Sequence, residues 1–321
     1  MVFGFDFQIL HDQFWTFTVT GLTQGAIYAL VALGYTLVYG VLRLINFAHS
    51  EVFMVGTFGA LFGTRWAGIA KGDDPPQAVI AVIGVLVLSL LAAMLFSGTT
   101  ALVLERVAYR PLRKRRAPRL AALISAIGAS FAISEAIANW RGRDLERFPD
   151  LVTPGPLFHI FDARITRTQV IVLVGALLMM IALDQFVART HYGRGIRAVA
   201  QDAETATLMG VDIDRIILVT FMIGGIMAGG AGLLYMLKDG VTKYDIGFIL
   251  GVKAFTAAVL GGIGNLRGAL LGGLVLGLIE NYGSAVIGSQ WRDVVAFVVL
   301  VLVLLVRPTG LLGESLGKAR A

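Results

Sequence analysis

The sequence predicts an all-α, polytopic membrane protein, a helix bundle with about eight or nine spans. Three properties of its composition lead to this class: 57% of the 321 residues are apolar or aromatic, only 15% are charged, and 39 are glycine. A soluble domain has about 25% charged residues. It also could not cover so much apolar surface, because surface area shrinks too slowly with chain length. The composition therefore excludes a soluble globular protein, a disordered chain and a coiled coil.

Nine apolar runs are candidate spans. A bilayer core about 30 Å thick needs about 20 apolar residues per helix, and the runs lack the two-residue alternation of barrel strands. The run at 247–263 is short and contains glycines, so we expect it to cross only partly. We treat residues 1–321 as a single transmembrane domain. The runs are 14–42, 44–66, 77–104, 119–140, 169–187, 215–237, 247–263, 268–287 and 291–306.

The distribution of charge predicts the orientation of the bundle. The stretch 105–119 holds seven basic residues and one acidic residue, which the positive-inside rule places in the cytoplasm. Alternating spans then put the N-terminus outside and the C-terminus in the cytoplasm. Residues 1–14 contain no Lys or Arg, so we predict no signal peptide. The loop 141–168, with three prolines, is expected to be an ordered external excursion, and 188–214 is expected to be cytoplasmic.

Glycines spaced four residues apart recur through the apolar runs. Such spacing lets helix backbones touch, because lipid supplies no hydrophobic force to join helices. It favours tight packing for most of the pairs, although it also suits a bundle whose helices slide. The two glycine-rich stretches 21–63 and 247–283 are equally compatible with an inverted repeat and with no repeat. The pairs include Gly21/Gly25, Gly59/Gly63, Gly225/Gly229, Gly247/Gly251 and Gly273/Gly277.

Polar residues within apolar spans are costly and are candidates for function. The densest group contains Asn46, His49 and Glu51, of which Asn46 and His49 share a helix face and Glu51 flanks it. One interpretation is a helix start at the cytoplasmic interface, with Asn46 as its cap. The other is a polar gate at the mouth of a pathway, where a His–Glu pair also suits a proton relay. Glu135 and Glu280 are either packed polar groups or pathway residues.

A second informative stretch, 193–210, predicts a short amphipathic helix on the cytoplasmic side. Small or apolar residues recur with a helical period, while Arg197, Gln201 and Glu204 occupy the other face. Gly210 provides a common helix end. The small-residue face suits a groove on a partner protein, and the alternative is an idle interfacial helix.

The sequence contains no recognisable motif for catalysis or metal binding. There are no cysteines, which excludes disulfides and Cys-ligated metals. The glycine-rich run 261–268 lacks both a preceding strand and the GK[ST] ending of a phosphate loop. We therefore predict no enzyme activity, no bound cofactor, no metal site and no nucleic-acid partner for this chain.

Four blocks of sequence resemble one family. Residues 21–40 (GLTQGAIYALVALGYTLVYG) are followed by INFAH at 45–49 and MVG at 54–56, and 307–313 reads RPTGLLG. Together with 193–212, these blocks resemble the LivH-type permease of branched-chain amino acid ABC importers, over about residues 15–315. Ser50 stands where that family usually has glycine.

The resemblance implies a set of partners. A second permease, related but different, would complete the pathway in a bacterial inner membrane, among its lipids. Two ABC ATPases would carry ATP and magnesium, and a periplasmic binding protein would deliver an amino acid. Alternatives are a permease for urea or short amides, whose members tend to have Met in place of Phe47, and a self-sufficient secondary transporter using Asn46, His49 and Glu51. The coupling helix to the ATPase would comprise Arg197, Ala198, Gln201, Asp202, Ala203, Glu204 and Gly210.

Overall fold

The computed structural model describes residues 13–69, 78–152, 155–160 and 163–313. Helices account for most of these residues, and four short strands lie between them. The helices are α1 (Phe14–Leu42), α2 (His49–Trp66), α3 (Val79–Leu104), α4 (Arg110–Lys114), α5 (Arg119–Arg141), α6 (Arg167–Arg189), α7 (His191–Gln201), α8 (Ala203–Leu208), α9 (Ile213–Asp239), α10 (Ile246–Gly261), α11 (Leu266–Ile287) and α12 (Arg292–Val306). A π-helical turn, Glu105–Tyr109, joins α3 to α4, and a 3-10 turn, Ser289–Trp291, precedes α12.

Seven helical stretches in the described residues are long and apolar enough to cross a membrane, fewer than the eight or nine spans expected. They include α1, α3 extended through α4, α5, α6, α9, α11, and α12 with its preceding turn. Two of the expected spans are not among these seven stretches. The run 44–66 becomes helical only at His49, and its first turn is polar. The run 247–263 forms the 16-residue α10, about 24 Å long, which is shorter than a bilayer core.

Helices α1 and α9 form the centre of the bundle. In the most apolar 18-residue stretch of each helix, 83% of the residues are buried in α1 and 78% in α9. The same measure is 11% for α5 and 6% for the segment containing α12. The outer helices therefore present apolar side chains to lipid or to another subunit.

Glycines set the distance between the central helices. A Cβ added at Gly25 of α1 would lie 2.7 Å from the carbonyl oxygen of Gly273 in α11. A Cβ at Gly225 of α9 would lie 2.8 Å from the carbonyl oxygen of Ser97 in α3. Real side chains do not tolerate such contacts with backbone, so the packing interpretation of these glycine pairs is confirmed.

The strands organise the loops at one end of the bundle. They are β1 (Glu146–Arg147), β2 (Pro156–Ile160), β3 (Ala163–Thr166) and β4 (Val241–Thr242). β2 and β3 form an antiparallel hairpin, and β1 pairs with β4, so that Glu146 lies opposite Thr242. The expectation of an ordered excursion between α5 and α6 is confirmed for its described residues.

Candidate functional site

The polar group around His49 lies where the chain turns from α1 into α2. Arg43 ends α1 with a left-handed φ of 54°, and α2 begins at His49. The imidazole of His49 packs edge-on against Tyr35, with ring centroids 4.9 Å apart, and fills the space beside Gly34. Gly34 is eight residues before the last residue of α1, about 12 Å along its axis. Helix α2 therefore begins well within the depth of the bundle.

The burial of this group contradicts its interpretation as a helix start at the water interface. Asn46, His49 and Glu51 are each 2% exposed. Asn46 is not the cap of α2, because Ala48 occupies that position. Its Oδ1 instead accepts a hydrogen bond from the hydroxyl of Tyr109 at 2.9 Å. Periodicity could not show this, because it does not reveal that the loop before α2 folds back into the bundle.

The three side chains of the group contact different helices. Ser130 of α5 donates a hydrogen bond to Glu51 Oε1 at 3.2 Å, while the other oxygen of Glu51 faces Gly247 of α10. Within the described chain, His49 Nε2 and Glu51 Oε2 are buried without hydrogen-bond partners. Buried polar atoms are normally satisfied, so this pair is a strong candidate for a gate, and that role stays a prediction.

Glu135 lies apart from the other candidates. Its side chain is half exposed on α5 and pairs with Arg143 at 2.8 Å. An exposed ion pair of this kind is worth little in stability. Glu135 therefore lines a pathway only if a second subunit covers the outer face of α5.

Glu280 is the centre of a buried ionic cluster. It is 0% exposed on α11 and forms an ion pair with Lys253 of α10. Arg292 Nε at the start of α12 lies 3.3 Å from Glu280 Oε1, and Asp293 Oδ1 lies 2.6 Å from Lys253 Nζ. Lys253 was not among the residues predicted from the sequence. Its signal was a lone lysine in the otherwise apolar run 247–263.

The expected coupling helix at 193–210 is two helices, α7 and α8. Asp202 separates them with extended backbone angles, φ −152° and ψ 111°. Its carboxylate accepts hydrogen bonds from the N–H groups of Thr205 at 3.1 Å and Glu204 at 2.9 Å. These bonds, that of Thr205 foremost, hold the pKa of Asp202 below its usual range. A helical period alone cannot show the corner, because an N-cap carboxylate competes locally with the helix.

The α7–α8 segment is attached to three other helices. Arg43 at the end of α1 donates to the carbonyl of Ala200 at 2.6 Å, and Arg197 donates to the carbonyl of Val187 in α6. Gly195 packs against Ile216 of α9. Arg197 is therefore a brace between α7 and α6 as well as a surface charge.

One face of the segment is buried and the other is open. Ile196, Val199 and Ala206 are buried, in agreement with the predicted apolar period. Leu208 and Met209 are 87% and 80% exposed at the tip. These two apolar residues were not predicted from the sequence, because they lie off the periodic face. Four of the predicted contact residues, Arg197, Gln201, Asp202 and Glu204, are on the open side, Ala198 and Ala203 are partly buried, and Gly210 follows with a φ of 82°.

A family model described as the permease component of branched-chain amino acid transport systems matches residues 17–304. The chain belongs to this family. The LivH-type resemblance is confirmed, and this permease is a transport subunit of a kind that carries no catalytic site.

Two curated relatives cover nearly the whole permease. It is 41% identical to the high-affinity branched-chain amino acid transport system permease protein BraD of Pseudomonas aeruginosa, over 92% of this chain and 94% of BraD. It is 42% identical to the corresponding LivH protein of Escherichia coli, again over 92% of this chain and 94% of the relative.

A solved structure shares the fold of the permease. It is a metal-chelate type ABC transporter in an inward-facing conformation. The TM-score is 0.50 at 14% identity, and the match covers 94% of this chain and 89% of the other. The likeness places the helix bundle among ABC permease folds.

Proposed function

We propose that this chain forms part of the transmembrane pathway of an ATP-driven importer of branched-chain amino acids. The family match over 17–304, with relatives more than 40% identical, carries the proposal. A second, related permease completes the pathway. Two ABC ATPases supply ATP hydrolysis with magnesium, and a periplasmic protein delivers the amino acid. The chain itself holds no cofactor.

Two contacts support an orientation with the basic stretch and the α7–α8 segment in the cytoplasm. Arg113, from the basic stretch, donates to Asp214 at the start of α9 at 2.7 Å, and Arg43 donates to Ala200 of α7. Both features therefore lie at the same end of the bundle. Basic residues concentrate on the cytoplasmic side of bacterial membrane proteins, so we place the N-terminus outside and the C-terminus inside.

The α7–α8 segment is the proposed coupling element. Leu208 and Met209 project from its tip and suit an apolar groove on an ATPase, while Glu204 supplies charge beside them. Movement of the tip is passed to α1 through Arg43 and to α6 through Arg197. The pathway helices are then driven without any catalytic group in this chain.

Reconstitution in proteoliposomes tests the function. The chain with its second permease, both ATPases and the binding protein is expected to take up L-leucine only when ATP is enclosed with the ATPases. Uptake by the chain alone, driven by an ion gradient, would instead support a secondary transporter that uses Asn46, His49 and Glu51. Uptake of urea but not of leucine would instead support a permease for urea or short amides.

Charge substitution at the tip tests the coupling element. The double variant Leu208→Glu/Met209→Glu is expected to lower leucine-stimulated ATPase activity at least tenfold, because two carboxylates in an apolar groove must be desolvated. Leu145→Glu, at a half-exposed leucine at the other end of the bundle, is the control. Normal leucine-stimulated ATPase activity in the double variant would contradict the assignment of the α7–α8 segment as the coupling element.

A further inference from the structure

A cavity of about 160 Å³ lies between α1, α9, α10 and α12. Gln24, Tyr28, Asp239, Lys253 and Arg292 supply its polar wall. This volume is well below the ~300–1,000 Å³ of sites for drug-sized ligands. The cavity is therefore suited to a molecule as small as a single amino acid.

Two cations on one side of the cavity keep donors for a further anion. Arg292 Nε lies 3.3 Å from Glu280 but is buried without a hydrogen bond. A guanidinium carries five N–H donors, and no hydrogen bond from Arg292 is found within the described residues. Lys253 is held beside it by Glu280 and Asp293, with its ammonium 5.9 Å from the centre of the Tyr28 ring. Arginine commonly binds a carboxylate through two parallel N–H donors.

A carboxylate also lines the cavity, on a different helix. Asp239 ends α9, and its partner is the neighbouring Lys238 at 3.2 Å. Such a pair between adjacent, partly exposed residues is weak, so Asp239 is available to accept from an ammonium group. The cavity thus holds donors and an acceptor on separate elements.

The charged side chains around the cavity sum to zero, which favours a ligand with no net charge. Lys253 and Arg292 are matched by Glu280 and Asp293, and Asp239 is matched by Lys238. A net anion or cation would leave an unbalanced charge beside the buried Lys253 and Glu280, which is costly. A zwitterion adds no net charge. Ile249 and Leu250 add an apolar wall for an aliphatic group.

We propose that this cavity is a binding site for the zwitterion of a short aliphatic amino acid within the permease itself. The α-carboxylate binds Arg292 and Lys253, the α-ammonium binds Asp239, and the side chain lies on Ile249 and Leu250. This site rests on the proposed function and extends it, because it makes the permease a second point of selection after the binding protein.

Direct binding to the assembled transporter tests the site. The complex of both permeases and both ATPases, without binding protein or ATP, is titrated with radiolabelled L-leucine up to millimolar concentration. Saturable binding is expected, with competition by unlabelled leucine. Isoamylamine, which lacks the carboxylate, and 4-methylpentanoate, which lacks the amine, are each expected to compete at least tenfold less well, because each loses a charge-assisted contact.

Variants that each remove one charge test whether leucine binds in this cavity. Arg292→Gln and Asp239→Asn are expected to weaken leucine binding about tenfold or more. Arg307→Gln and Asp150→Asn, whose residues do not line the cavity, are expected to leave binding unchanged.

A steric variant avoids any loss of folding that follows from the charge changes. Ile249→Trp fills the cavity from an exposed position and is expected to abolish leucine binding, while Phe248→Trp, next to it and equally exposed, retains binding. Unchanged thermal unfolding of the two tryptophan variants would show that both are folded.

The outcomes separate this site from the proposed function. ATP-driven leucine uptake by the wild type, with no saturable binding or with equal binding in Ile249→Trp and Phe248→Trp, would overturn the site and leave the function standing. Absence of uptake of any branched-chain amino acid by the wild-type transporter would overturn both.

Discussion

At the residue scale, the presence or absence of a single methyl group decides how closely two helices approach. Gly25 and Gly273 sit where α1 and α11 meet, and any side chain there would meet backbone atoms. Gly84 of α3, by contrast, has open space around its missing Cβ. The spacing of the glycines was legible in the sequence. Which helix each glycine touches was not, because that depends on how the helices are arranged.

Gly25→Ala is expected to destabilise the permease by about 1–3 kcal/mol, the usual cost of overpacking a fitted contact. The added Cβ would lie 2.7 Å from the Gly273 carbonyl oxygen, and α1 and α11 would have to separate. Thermal unfolding in detergent measures the effect. Gly84→Ala is the matched control and should be neutral or slightly stabilising, because alanine favours helix and meets no neighbour. Equal stability of the two variants would contradict the packing argument.

The buried ion pair between Lys253 and Glu280 is also a residue-scale feature. Without Lys253 the buried Glu280 keeps only Arg292 as a nearby cation, so Lys253→Met is expected to lower stability by about 3 kcal/mol. The double variant Lys253→Met/Glu280→Leu should cost less than the sum of the two single changes. Arg143→Met, which breaks the half-exposed pair with Glu135, should cost less than about 1 kcal/mol. Additive effects at Lys253 and Glu280 would show that the pair is not coupled.

At the scale of elements, local capping decides where a helix breaks. Asp202 accepts from two backbone N–H groups and turns the predicted single helix into α7 and α8. Similarly, the left-handed Arg43 ends α1 and allows α2 to begin beside Gly34. Hydrophobic period predicted that helices exist in both places. It also ended the first apolar run at residue 42, where α1 ends, but it did not predict the corner at Asp202, because that corner is set by a few backbone hydrogen bonds.

Asp202→Ala is expected to reduce leucine-stimulated ATPase activity at least twofold, because the corner that aims α8 loses its cap. Asp202→Asn should restore most of that activity, since an amide oxygen also caps a helix. The activity is measured on the reconstituted complex. A loss in Asp202→Asn as large as in Asp202→Ala would show that the charge of Asp202, and not its capping, matters for coupling.

At the scale of the whole molecule, the bundle consists of buried central helices surrounded by outer helices with few buried residues. Most residues in the apolar stretches of α1 and α9 are buried, while few are buried in those of α5 and α12. This arrangement fits a subunit that has lipid on some faces and a second permease on others. The proposed orientation then decides which end meets the ATPases.

The absence of cysteine makes the orientation directly testable. In permease expressed without the ATPases, which would otherwise cover the tip of the α7–α8 segment, Met209→Cys is expected to react with a membrane-impermeant thiol reagent only after spheroplasts are permeabilised. Leu145→Cys, exposed at the other end of the bundle, is expected to react in intact spheroplasts. The reverse pattern would invert the proposed topology, and the cysteine-free parent chain provides the background.

The sequence by itself determined the class of this protein, its membrane residence and its family, because apolar composition, glycine spacing and short sequence motifs are local properties of the chain. It also located Asn46, His49, Glu51 and Glu280 as polar residues within apolar surroundings. Only the tertiary structure decided what surrounds them. It buried His49 beside Gly34, brought Lys253 and Arg292 to Glu280, and left Leu208 exposed, because each of these environments depends on which helices pack together.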